Sequence, residues 1–340
     1  MNAIPSNRRH VVHADPLAVP RPSALDEPRA REGGVAAGRL AGCAWAVLTV
    51  LIFSGWFVVT RFSVTRELRF WDITALRFGI GAIVLAPAVL RPGSQLPAAA
   101  WRTGFVFMLL WGAPFVLLVA LGLQLTSAAQ AAAVAPTLMP IFTGIFARIL
   151  LRESQGKVRW LGYGTILIGL AGLLGAGALV HARPDPGGLL ALAAAAALWA
   201  AYTLVFRRSG LTAIQAAALI CVWSSVVYLP AYLMLGLGRF GHASVTELVV
   251  QAVYQGVMMS GVALVAFNRA VGLLGATATT AVIALLPVVA AILAVPVLGE
   301  IPTPLEGTAL LVVVGGVLLA ASSNAKRLDL ISIQSTEERR

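Results

Sequence analysis

Residues 128–153 read AAQAAAVAPTLMPIFTGIFARILLRE, and residues 276–300 read ATATTAVIALLPVVAAILAVPVLGE. Laid together without a gap, the two stretches place Pro140 on Pro287 and Glu153 on Glu300, an offset of 147 residues. Ala129, Ala131, Leu138, Ile145, Ala147 and Leu151 also meet identical residues at that offset. Each copy reads as a long apolar helix with a proline in its middle and one carboxylate at its end. A chain that carries this unit twice is built from two related halves.

The surrounding sequence fixes the solvent. Of the 340 residues, 59% are hydrophobic and only 11% are charged, and the apolar residues form solid runs rather than alternating ones. Such runs point to helices in a bilayer and away from a soluble domain or a membrane barrel. A spanning helix needs roughly 20 apolar residues, and ten segments meet that measure. In the first half they run 41–61, 72–90, 102–124, 127–150 and 158–178; in the second, 187–207, 212–235, 247–269, 275–298 and 304–322. The predicted architecture is an all-α membrane protein with ten transmembrane helices, divided into repeats at 40–178 and 187–322 with a linker at 179–186. Residues 1–39, rich in Pro, Arg, Ser and His, are expected to be a disordered tail, and they lack the pattern of a secretory signal. Residues 323–340 form a second tail.

Net charge is +11, and the basic residues sort by side of the membrane. Both tails fall on one side together with Arg91, Arg102, Arg148, Arg152, Lys157, Arg159, Arg207, Arg208 and Arg269; the other side receives Arg61, Arg66, Arg69, Arg183 and Arg239. This is the positive-inside bias, which places both termini in the cytoplasm of an inner-membrane protein. It also removes the need for a nucleic-acid partner, since the basic residues neither cluster on one face nor alternate with aromatics. The first outer loop, with three arginines, runs against the rule.

Five helices per half reverse the second copy with respect to the membrane. The repeat is therefore inverted, with Glu153 and Glu300 at opposite faces, and such halves can rock about a central site and open it alternately to each side.

Two five-helix halves, each with a proline in its fourth helix and a terminal Glu, resemble the EamA-type branch of the drug/metabolite transporter superfamily. Trp56 in the first helix, Trp199 in the sixth, Arg77 in LRFGIGA, Gly162 and Gly307 near the start of the fifth and tenth helices, and Arg207 with Arg208 at the end of the sixth match that pattern. The second half has no arginine answering to Arg77. The resemblance implies a secondary carrier of small organic metabolites, amino-acid-like or amphipathic, often an exporter, with the substrate in a central cavity. It assigns Glu153, Glu300, Gly162 and Gly307 to a structural motif.

Substrate sites of inverted-repeat carriers lie near the midplane. Counting inward from the predicted ends brings Trp111, Pro114, Pro140, Trp199, Trp223, Ser224, Tyr254, Gln255, Met258 and Pro287 to that depth, with Trp56 and Tyr202 within about two turns. The candidate cavity residues are Trp56, Arg77, Trp111, Trp199, Tyr202, Tyr254 and Gln255, aromatic groups with an amide and a phenol suited to an apolar or amphipathic solute. Each aromatic is equally the kind of residue that fills a helix interface. Pro140 and Pro287 each remove a backbone hydrogen bond and kink a helix, for gating or for packing. Arg77 is a charge inside a span: it either snorkels to the outer headgroups or faces the cavity, where it would favour a carboxylate or phosphate. Glu153 and Glu300 suit helix capping or loop pinning.

None of the 14 acidic residues falls at a helix centre, and His10, His13, His181 and His242 fall in tails or loops, which disfavours a proton-coupled exporter of cations. No metal-ligand cluster, phosphate loop or nucleophile elbow is present, so neither an enzyme nor a cofactor is expected; a membrane-embedded enzyme or scaffold without transport is the competing reading. Cys43 and Cys221 lie in different helices and read as free thiols. Small residues from Leu190 to Tyr202 and from Gly169 to Gly177 allow close helix approach. Their spacing also suits a homodimer, although packing within one chain is the more economical use.

Overall fold

The computed structural model describes residues 26–64, 66–91, 93–94, 96–126, 128–152, 155–180, 185–298, 301 and 303–337. The chain separates into two units, Met1–Gly38 and Arg39–Arg340. In the first, residues 26–38, expected as part of an unfolded tail, are helical. The second unit is a helical bundle, and no strand occurs among the described residues.

The helices of the chain are α1 (Asp26–Val64), α2 (Phe70–Leu85), α3 (Pro87–Leu90), α4 (Ala98–Trp111), α5 (Ala113–Leu125), α6 (Ala128–Leu151), α7 (Lys157–Val180), α8 (Pro186–Arg208), α9 (Ala213–Met234), α10 (Val245–Gln251), a π-helical segment (Ala252–Ala263), α11 (Leu264–Leu274), α12 (Ala276–Ile283), α13 (Leu286–Leu298) and α14 (Pro304–Glu337). Helices satisfy their own backbone groups, which a hydrocarbon medium requires. Large apolar side chains face outward on these helices, among them Ile83, Ile149, Leu179, Leu190 and Leu311. That distribution suits a lipid environment.

Eight helices are long and apolar enough to cross a membrane, where the sequence predicts ten spans. The two remaining segments are helical but shorter. The second stops at Ala86 because Pro87 begins a new helix, and its 16 residues include Asp72 and Arg77. In the tenth, the apolar stretch is Pro304–Ala320.

Three further predicted spans are interrupted. Gly112, at φ −93° and ψ −140°, separates α4 from α5, and Pro114 follows in the first turn of α5 where its missing N–H is harmless. The eighth span widens into the π-helical segment. The second copy of the proline-bearing helix breaks at Ala284–Leu285, so Pro287 occupies the first turn of α13 rather than the middle of a helix. The ring at Pro287 would crowd the Ile283 carbonyl in a regular helix, which favours a kink or a break there. The first copy, α6, stays continuous through both Pro140 and Pro136.

Helices α7 and α14 make the tightest backbone contact. A Cβ on Gly169 would stand 2.8 Å from Val313 N, and one on Gly316 would stand 2.7 Å from Ile166 N. Both members of this exchange obey the repeat offset of 147 residues: Gly169 corresponds to Gly316 and Ile166 to Val313. A Cβ on Gly162 would stand 2.5 Å from Ala320 N. Rising numbers on α7 thus meet falling numbers on α14, so the two helices run antiparallel. Gly307 has no neighbour near its Cβ position. Gly162 and Gly307 are 145 residues apart, two short of the offset, and the pair that plays equivalent parts is Gly169 and Gly316.

Gly162→Ala and Gly316→Ala are each expected to force these backbones apart and lower stability by about 1–3 kcal/mol. Gly164→Ala, with open space around its Cβ position, should leave stability unchanged or slightly raised. Melting midpoints of the purified variants in detergent check this contrast.

Candidate functional site

Helix α1 turns one face inward through Phe53, Trp56 and Phe57, spaced as neighbours on a helix. These side chains close a small cavity together with Arg77 of α2, Trp111 of α4, Phe115 and Val119 of α5, Ala135 of α6, Trp199 of α8 and Met259 of the π-helical segment. Both halves of the chain therefore contribute to its wall. The space open to the centre of a water-sized sphere is about 10 Å³, room for about one water molecule. Pockets that hold organic ligands are commonly about 300–1,000 Å³, so these walls must part before a metabolite can enter.

The aromatic wall is interlocked. Trp111 stacks on Trp199 at 5.7 Å between ring centroids and on Tyr202 at 4.6 Å. Phe53 meets Trp199 edge-on at 5.4 Å, and Phe267 lies 4.8 Å from Trp111. Offset and edge-on pairs of this kind are favourable beyond the area they bury.

Arg77 is 1% exposed, so it does not snorkel to the surface. Close packing of α2 holds it inside. A Cβ on Gly81 would stand 2.6 Å from Ser260 Cβ, and the Ser260 hydroxyl donates to the Arg77 carbonyl at 2.9 Å. The guanidinium carbon lies 5.2 Å from the Trp56 ring centroid, within cation–π range. Its Nε and Nη1 atoms are buried and have no hydrogen-bond partner; the same holds for Trp111 Nε1 and Trp199 Nε1.

Three of the seven candidates stand behind the wall. Gln255 accepts from Trp56 Nε1 at 2.8 Å and donates to Thr60 Oγ1 and Gln251 Oε1, both at 3.0 Å. Gln251 donates in turn to Ser63 Oγ at 2.7 Å, completing a polar seam between α1 and the helices of the eighth span. The Tyr202 hydroxyl donates to Asn268 Oδ1 at 2.6 Å, and the Tyr254 hydroxyl donates to the Ile52 carbonyl at 2.9 Å.

Other mid-depth residues have structural partners. Ser224 accepts from the Ala113 backbone N–H at the Gly112 break, and Trp223 donates to the Trp101 carbonyl. Pro140 and Pro287 are buried but do not line the cavity. Ile141 and Ala284, close to them in sequence, share an apolar cluster with Tyr163, Ile166, Val313 and Val317. Ser54 donates to the Leu286 carbonyl beside the break before α13. Glu153, Glu300 and the linker residues 181–184 lie outside the described residues. Phe53, Phe115 and Met259 were not selected from sequence. Phe53 lies one turn before Trp56 and Met259 four residues after Gln255, so helical spacing carried the signal for these two, whereas the break at Gly112 hid Phe115.

The EamA-like transporter family matches the chain twice, over residues 40–175 and 186–322. The chain belongs to that family. It is 27% identical over 296 residues to a protein of Streptantibioticus cattleyicolor named as a probable terminal-alkyne amino-acid exporter, covering 82% of this chain and 91% of the relative. A solved crystal structure, 23% identical, covers 86% of this chain and 99% of its own with a TM-score of 0.61, a likeness of fold.

Replacing Gln255 by Leu removes the partner of Trp56 and strands Gln251 Oε1, so a loss of about 1–3 kcal/mol is expected. Tyr254→Phe removes one bond to a carbonyl and should cost no more than about 1.5 kcal/mol. Thermal unfolding of the two variants in the same detergent tests the ranking; equal loss would contradict the role given to the seam.

Proposed function

We propose that this member of the EamA-like transporter family is a secondary carrier that exports small amino-acid-like or amphipathic solutes by alternating access. Ten helices span the inner membrane in two inverted five-helix repeats, 40–178 and 187–322, joined by the linker 179–186, with the tails 1–39 and 323–340 in the cytoplasm. The single observation that carries the reading is the enclosed aromatic cavity, whose wall draws side chains from both halves. A closed cavity between two related halves is what a rocking mechanism passes through as its occluded intermediate.

The name of the Streptantibioticus cattleyicolor relative supports an amino-acid-like substrate. The rings around Trp111 and Trp199 favour one with an apolar body. The antiparallel crossing of α7 and α14, with equivalent residues exchanged across it, supports inversion of the repeats. Arg77, Trp56, Trp111 and Trp199 contact the solute in this reading; Tyr202, Tyr254 and Gln255 hold the wall in place.

The test is counterflow in reconstituted vesicles against a panel of apolar amino acids, nucleosides and organic anions. Saturable movement of apolar amino acids is expected, with Trp111→Ala slowing it about tenfold, a rise in barrier of about 1.4 kcal/mol from the lost ring contact with the solute. Folded protein that moves no solute of the panel would favour a membrane-embedded scaffold or enzyme instead.

A further inference from the structure

The cavity wall is one-sided in its hydrogen-bonding chemistry. Its polar side chains are Trp56, Arg77, Trp111 and Trp199, and all of them are donors. Trp56 has its acceptor in Gln255, whereas Arg77 Nε and Nη1, Trp111 Nε1 and Trp199 Nε1 have none. Among the described residues, no side-chain oxygen lines the space. These buried donors sit on residues of the wall, and with a fixed positive charge and no acceptor stronger than the Met259 thioether they fit a group that is negative and accepts hydrogen bonds once the walls part.

We propose that the cavity selects its solute by a carboxylate, held by Arg77 with the indole N–H groups of Trp111 and Trp199, and by an apolar body against the rings. An α-ammonium group is dispensable. This rests on the carrier reading and names its substrate class: small apolar monocarboxylates, with or without an amino group. An arginine supplies a fixed charge with several donors in one plane, which a lysine or an indole alone does not. An ammonium group would meet only ring faces and the unfavourable field of Arg77. Burial sharpens the discrimination, because an unpaired charge deep in a protein costs several kcal/mol and a bound anion offsets that cost. Phe53, standing edge-on to Trp199, offers the apolar body a surface without competing for the carboxylate.

The experiment is isothermal titration calorimetry on the full chain in nanodiscs with three ligands of one branched skeleton: leucine, 4-methylpentanoate and 3-methylbutylamine. At neutral pH they carry, respectively, both charges, the negative charge only and the positive charge only. We expect 4-methylpentanoate to bind within about threefold of leucine and 3-methylbutylamine at least about tenfold more weakly, the scale of one charged hydrogen bond. Arg77→Gln should weaken 4-methylpentanoate by about tenfold or more without weakening the amine. Trp199→Phe, which keeps a ring and removes the N–H, should weaken the carboxylate a few-fold. If Arg77→Gln does not fold, the ligand series on the unaltered chain and the Trp199 variant still decide. Amine binding equal to or tighter than that of the carboxylate, or no carboxylate binding, overturns the inference. Binding is read without transport, so carboxylate binding by a chain that moves nothing in vesicles would overturn the carrier reading and leave this assignment standing.

Discussion

A hydrogen-bond donor buried among membrane helices has no solvent to turn to, and its partner must come from within the chain. Much of this structure is an answer to that demand. Trp56 is met by Gln255, Tyr202 by Asn268, Trp223 by a carbonyl of α4, and the N–H left free at the Gly112 break by Ser224. Among the described residues, unpartnered buried atoms elsewhere are scattered singly over Trp71, Gln155, Tyr163 and Glu247. Only on the cavity wall do they collect, four donor atoms on three side chains. The exception to the rule is thus concentrated where the two halves of the chain come together.

The second constraint is geometric. Gly169 and Gly316 bring α7 and α14 into backbone contact through the same interaction made twice, once from each copy of the repeat. Side chains cannot rearrange there, so the crossing acts as a fixed joint. Some helices that line the cavity are built differently: α4 and α5 are separated by Gly112, and the eighth span contains a π-helical stretch. Interrupted helices beside the cavity and unbroken ones at the crossing suit the rocking motion proposed for this carrier.

The sequence made the main division legible because a repeat and its offset need no structure to be read. The cavity aromatics Trp56, Trp111 and Trp199 also followed from depth along the helices. Rotation about each helix was not legible, because periodicity in an all-apolar helix does not distinguish lipid from interior. For that reason Tyr202, Tyr254 and Gln255 were expected on the cavity wall while they lie behind it, and Arg77 had two open fates. The break before Pro287 was hidden for another reason: a proline removes one bond, and whether the helix bends or parts depends on neighbours distant in sequence, such as Ser54. The family pattern points to Gly162 and Gly307 by position in the fifth and tenth helices, whereas the repeat offset of 147 residues pairs Gly169 with Gly316.

The central claim is that one cavity, closed in this structure, opens in turn to each side of the membrane. Met259 lies on its wall and is 1% exposed. In a chain with Cys43 and Cys221 replaced, Met259→Cys provides a single thiol there, and a membrane-impermeant maleimide applied to either face of oriented vesicles reads its access. The account predicts labelling from both faces, slowed on both when substrate is present. Labelling from one face only, or from neither in a folded protein, would contradict it.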